Sequence, residues 1–160
     1  MAYYQLFRSG ALEVVDSTML RSQAARDHGL DPLIAAGAFE GMLIPALARF
    51  MRLVSELGIE PPLFAMLSLV GVKGYRMALP DRSFDSVSQY QIDRDTLMLP
   101  ESFVEGLDED PDKVLQPAFD GLWQSVGFER DRMYQNNGKG HWSLNSERVY
   151  EKPDSPYNST

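Results

Sequence analysis

The sequence contains no cysteine and only two histidines in 160 residues. Without thiols there is no disulfide framework, no thiolate zinc site and no cysteine nucleophile, a composition that fits a reducing compartment. His28 and His141 stand in no pair spacing that makes a zinc site, so both are read as solvent-exposed side chains and no metal ligand set is assigned. Basic residues are scarce as well: 15 Lys and Arg face 23 Asp and Glu, for a formal net charge of -8. Binding a phosphate backbone takes several bases that release counterions, and a field of this sign repels a polyanion. Direct nucleic-acid binding by this chain is therefore not expected. No apolar run approaches the roughly 18 residues of a spanning helix, and Met1-Ala2-Tyr3-Tyr4-Gln5 lacks the basic and apolar blocks of a signal peptide. The expectation is a cytoplasmic chain with no membrane partner. No Gly-x-Ser-x-Gly elbow, repeat or low-complexity segment is present.

What is present is an ordinary globular composition, 44% hydrophobic, 11% aromatic and 24% charged, in one domain's length. The charge is shared unequally. Residues 1–100 carry nine bases and eleven acids, whereas 101–160 carry six bases and twelve acids.

Tyr3–Arg8 and Ala11–Val15 are β-prone runs around Ser9-Gly10, which predicts a hairpin with a tight two-residue turn. Residues 17–32 read as a loop with a short helix at 23–26. From Ala36 to Leu57, Phe39, Met42, Leu43, Leu47, Phe50, Leu53, Val54 and Leu57 recur at steps of three and four, the spacing of one helix face, with Gly58 as the stop. Pro45 inside that pattern implies either a kink near Gly41 or a regular helix beginning near Ile44.

After Pro61-Pro62, the almost wholly apolar Leu63–Val70 run predicts a central strand covered on both faces. Gly71-Val72-Lys73-Gly74 interrupts it before Tyr75–Leu79, which leaves two geometries: a hairpin reversing at the glycines, or one long strand bulged there. Residues 81–96 read as a long loop with a short strand near Tyr90 and Ile92. Leu97–Pro100 and Ser102–Val104 read as an edge or bulged strand. Asp110-Pro111 opens a second helix, running to about Val126 with Val114, Leu115, Phe119, Leu122, Trp123 and Val126 as its buried stripe and Gly127 as its stop. Asn136–Gly140 reads as a turn. The fold class expected is α+β, two-layered, with a mostly antiparallel sheet and two main packed helices; residues 1–142 form the domain and 143–160 an unstructured tail.

Asp108-Glu109-Asp110-Pro111-Asp112 offers acids at the first positions of a calcium loop, but Lys113 stands where glycine is needed and Phe119 where a bidentate glutamate is needed. The favoured reading is that these acids complement the positive end of the helix that follows. Gly71–Arg76 is not a phosphate-binding loop, since its glycines are three apart and it leads toward a strand. Lys73, Tyr75 and Arg76 are nevertheless the candidate ligand-binding residues, for an anion held near the glycine turn. No catalytic residue and no cofactor are assigned.

Several strings together, Tyr4–Asp16, Glu56–Pro62 leading into Met66–Met77, Ile92–Asp95 with Leu99-Pro100-Glu101, and Pro117–Trp123, resemble the C-terminal region of bacterial proteins that carry an N-terminal Schlafen/Alba-type DNA-binding domain. The resemblance spans about residues 3 to 142. It implies that the nucleic-acid reader is a preceding domain, that this chain looks like a separated second half, and that its work is accessory: regulatory contact with protein, or assembly, tethered to that module. The competing expectation is a ligand-sensing or enzymatic domain whose pocket lies between the 71–74 turn and the 81–96 loop.

Overall fold

The computed structural model describes residues 2–18, 20, 32–78, 87–131, 133–136 and 142–144. The expected short helix at 23–26, both histidines, residues 137–140 of the expected Asn136–Gly140 turn and the chain beyond 144 lie outside the described residues. Within them the chain is α+β, with two helices and a set of mostly antiparallel strand pairs in two layers.

β1 (Ala2–Leu6) and β2 (Leu12–Asp16) pair antiparallel, Leu6 opposite Leu12. Their turn is longer than the two-residue loop expected. Phe7 N–H donates to Ala11 O at 2.8 Å and Gly10 N–H to Phe7 O at 3.0 Å, which makes Arg8, Ser9 and Gly10 a three-residue loop. Gly10, at φ +88°, fills the left-handed position that closes such a loop. Both strands are largely exposed; the Tyr4 ring meets Phe50 edge-on at 6.2 Å, and the turn at Gly10 lies beside Ile59.

α1 (Ala36–Glu56) runs unbroken through Pro45, so a regular helix beginning near Ile44 is ruled out. Proline has no N–H to offer the Gly41 carbonyl, and exposed Gly41 leaves that carbonyl to solvent. The buried face is narrower than the one counted from the sequence, with Leu43, Leu47 and Phe50 half-buried. Ala36, Phe39, Glu40, Met51 and Val54 are buried, whereas Met42, Leu53 and Leu57 stand exposed.

α2 (Pro111–Gln124) starts at the expected proline and buries Val114, Leu115, Phe119, Leu122 and Trp123. Asp110 is extended at its N-cap but makes no side-chain cap bond, because its Oδ2 is drawn 3.0 Å from Lys113 Nζ. Both helices close with paired reverse bonds. Gly58 and Ile59 donate to the carbonyls of Ser55 and Val54, and Gly127 and Phe128 to those of Gln124 and Trp123. At the second end the Phe128 ring packs on Trp123 at 5.3 Å, the apolar contact that usually accompanies this cap.

The other layer is one long irregular ribbon. β4 (Leu63–Ala65), β5 (Ser68–Val70) and β6 (Arg76–Ala78) run outward, and β7 (Thr96–Met98) and β8 (Ser102–Val104) return. β4 pairs with β8 and β5 with β7, both antiparallel. The pairing continues through Val72 N–H to Asp95 O, Ile92 N–H to Tyr75 O, and the bridge between Ala78 and Val87. Because both sides of Gly71–Gly74 pair with the same returning strand, the chain does not reverse there: of the two geometries, the long interrupted strand is correct. Gly71 and Gly74 both take positive φ, +76° and +85°, which absorbs the interruption at the least steric cost. Pro100 and Glu101 together oppose Met66, since Ala65 pairs with Ser102 and Leu99 donates to Leu67. This is the bulge that a proline in a strand demands. β3 (Leu33–Ala35) lies parallel to β6 and leads straight into α1.

α2 lies against the inner face of the ribbon so closely that a Cβ on Gly121 would collide with the Pro100 ring. The core fills this gap with Leu69, Val72, Tyr75, Met77, Ile92, Leu97 and Leu99 from the ribbon side and Leu115, Ala118, Phe119 and Leu122 from α2. β9 (Tyr134–Asn136) and β10 (Trp142–Leu144) form a last antiparallel pair, with β10 beside α2, so regular structure extends to Leu144.

Candidate functional site

The three candidates at the glycine turn occupy three different settings. Lys73 is exposed, and its charge helps hold the Asp93 carboxyl below its ordinary range, after the larger effect of the Arg94 guanidinium. Tyr75 is buried within the core cluster. Arg76 turns its guanidinium along the ribbon, with Nη1 donating to the Ser88 and Gln89 carbonyls at 2.7 and 2.8 Å. Its visible bonds are those that tie the returning segment to β6.

The acidic string before α2 is also engaged locally. Glu109 Oε1 accepts the backbone N–H groups of Glu105 and Gly106 at 2.6 and 2.7 Å, closing the turn after β8. Asp108, Glu109, Asp110 and Lys113 line an open concavity of about 260 Å³. No group of three or more possible metal ligands comes together among the described residues.

The surface that stands out is one that pattern reading placed indoors. Leu63–Val70 was expected to be covered on both faces, but the helices cover only one. Leu69, with Leu97, Leu99 and Val104 across the ribbon, points inward and is buried. Phe64, Met66 and Val70, with Met98 and Phe103 across the ribbon, point outward and are 61%, 73%, 67%, 78% and 45% exposed. Strand side chains alternate faces, so an all-apolar run supplies two apolar faces, and a two-layer fold buries just one. Phe64 and Phe103 are directly opposed, with their rings edge-on at 5.1 Å. Taking roughly 150–250 Å² for a side chain of this size, these exposures amount to about 600 Å² on one face, shared with exposed Ser68 and Thr96, the upper end of what a monomer shows.

A second feature lies inside the molecule and left no sequence signal. Glu40 of α1 is fully buried, and Asp131, beyond α2, is 5% exposed. Trp123 Nε1–H donates to Glu40 Oε1 at 3.2 Å. Asp131 is fixed at both ends: its N–H donates to Asp120 Oδ1 and its own Oδ1 accepts Met133 N–H, both at 2.7 Å. Glu40 Oε2 and Asp131 Oδ2 remain, buried and without a donor while both groups are ionised. One proton resolves both defects, because a protonated carboxyl donates to its neighbour. Burial, and then the Asp131 charge, push Glu40 up to about 9. Burial likewise raises Asp131 to about 6, with Asp120 adding to the rise and the Met133 N–H opposing it. The pair therefore carries one shared proton near neutral pH, held mainly on Glu40.

No family model, curated protein or solved structure matches the chain. Among the described residues, no helix is long and apolar enough to cross a membrane.

Proposed function

We propose that this chain is a non-catalytic accessory domain that acts in the cytoplasm by contact with protein, tethered to a Schlafen/Alba-type nucleic-acid-binding module. The observation that carries this reading is the outer face of the ribbon, where five large apolar side chains stand exposed. Such a patch is stable in solution only at a cost that burial against another protein removes. The -8 charge favours the same division of labour, since it disfavours approach to a phosphate backbone. A ligand pocket at Lys73, Tyr75 and Arg76 draws less support: it would have to detach Arg76 from the Ser88 and Gln89 carbonyls and expose a buried tyrosine.

The test is a titration of the purified chain into labelled DNA and RNA at about 0.15 M salt, where non-specific phosphate binding still registers for a basic domain. Negligible binding is the expected outcome. Tight binding that weakens steeply with added salt overturns the assignment.

A further inference from the structure

The outer ribbon face has a polarity that says what covers it. Glu60 precedes the proline pair and Glu105 follows β8, so two exposed acids flank the Phe64–Phe103 end, while Glu101 sits in the bulge beside Met66. At the opposite end, past Val70 and Thr96, stand two exposed bases, Lys73 in the glycine turn and Arg94 just before β7. Asp93 and Asp95 share that end, and Arg94 Nε lies 2.8 Å from Asp93 Oδ1. One end is therefore uniformly acidic and the other balanced. The Arg94 pair is an exposed one, of a kind that contributes little and exchanges readily.

Two such faces can meet about a two-fold axis in only two simple ways. An axis along the ribbon stacks like ends and brings four acids together. An axis across the ribbon swaps the ends and sets each acidic pair against the partner's balanced end, where Lys73 and Arg94 stand with Asp93 and Asp95, and so avoids the like-charge contact. The apolar centre is self-matching in the second arrangement, with Met66 and Met98 near the axis and each phenylalanine pair over the other copy's Val70. The exposed area of about 600 Å² is three-quarters of the roughly 800 Å² that each partner commits to a standard interface, before any rim is counted. The long-range repulsion of two chains of charge -8 is screened beyond about 8 Å at physiological salt.

We infer that the outer ribbon face pairs with a second copy of this chain, face to face and end for end, an isologous contact of the kind most homodimers use. The inference rests on the protein-contact reading above and makes the domain an assembly element that brings two tethered modules together.

Sedimentation equilibrium of the full chain at 0.15 M salt tests it. The chain is expected to be a dimer at about 100 µM and to dissociate on dilution, as a micromolar interface does. Met66→Glu with Met98→Glu replaces two exposed residues, so circular dichroism and Tm should hold while dimerisation weakens about 100-fold or more from burying unpaired charge. Lys73→Glu with Arg94→Glu should weaken the dimer, and adding Glu60→Lys and Glu105→Lys to that variant should restore it. A monomer at about 100 µM overturns the inference, as does a dimer that survives the methionine variant, because its contact lies elsewhere. A dimer indifferent to the charge variants overturns the end-for-end arrangement. None of these results touches the accessory-domain reading, which fails instead on nucleic-acid binding.

Discussion

Replacing Glu40 by glutamine tests the shared-proton pair directly. Glutamine has the shape of protonated glutamate: its Oε1 accepts from Trp123 Nε1–H as before, and its amide N–H can donate to Asp131 Oδ2, which lacks a donor while Glu40 is ionised. In the native protein that donor exists only when Glu40 takes up a proton. An unfolded glutamate has an ordinary value of 4.5, against about 9 here. Protonating it at pH 7 costs about 3 kcal/mol, at 1.36 kcal/mol per unit. Because both folded values are raised, the folded state binds protons more tightly than the unfolded one. The native domain is therefore most favoured by this pair below about pH 4 and loses that favour as pH rises through about 6 and about 9. Glu40→Gln should be more stable than the native chain by up to about 3 kcal/mol at pH 7, with the gain shrinking toward zero near pH 4. Urea denaturation at half-unit steps from pH 5 to 9 measures this directly. A variant with an unchanged pH profile, or one less stable than the native chain at pH 8, would show that no shared proton joins Glu40 and Asp131.

Two further substitutions probe the packing that presents the ribbon. Gly121→Ala gains up to about 1 kcal/mol of helix propensity but drives a methyl into the Pro100 ring, which cannot swing aside, so a net loss of about 1–2 kcal/mol is expected in thermal melts. Ser102→Ala removes a buried hydroxyl that has no hydrogen-bond partner, and Tm should stay level or rise, by about 1 kcal/mol of stability at most; a clear drop would mean that the hydroxyl is bonded.

Much of the architecture was legible along the chain because it depends on neighbours three or four residues apart. The α2 stripe from Val114 to Val126, its entry at Pro111 and both glycine stops are local matters of period and backbone freedom. So is the bulge at Pro100-Glu101. The α1 face was read too widely, since Met42, Leu53 and Leu57 satisfy the helical spacing as well as Leu43 and Met51 do, and only the position of the packing partner chooses among them. The same reason hid the ribbon's outer face. A run apolar at both parities tells that two apolar faces exist, not how many layers will cover them.

The sequence by itself determined the local grammar: where helices start and stop, which strands bend, that no thiol chemistry operates, and that the chain is acidic. Only the tertiary structure decided that Glu40 meets Asp131 and Trp123, residues far apart in the chain, inside a core that leaves them one proton to share. It also decided that Phe64, Met66, Val70, Met98 and Phe103 face water, because α2 took the other side of the ribbon. Periodicity is a property of a few consecutive residues, whereas burial belongs to whatever the completed fold lays across them.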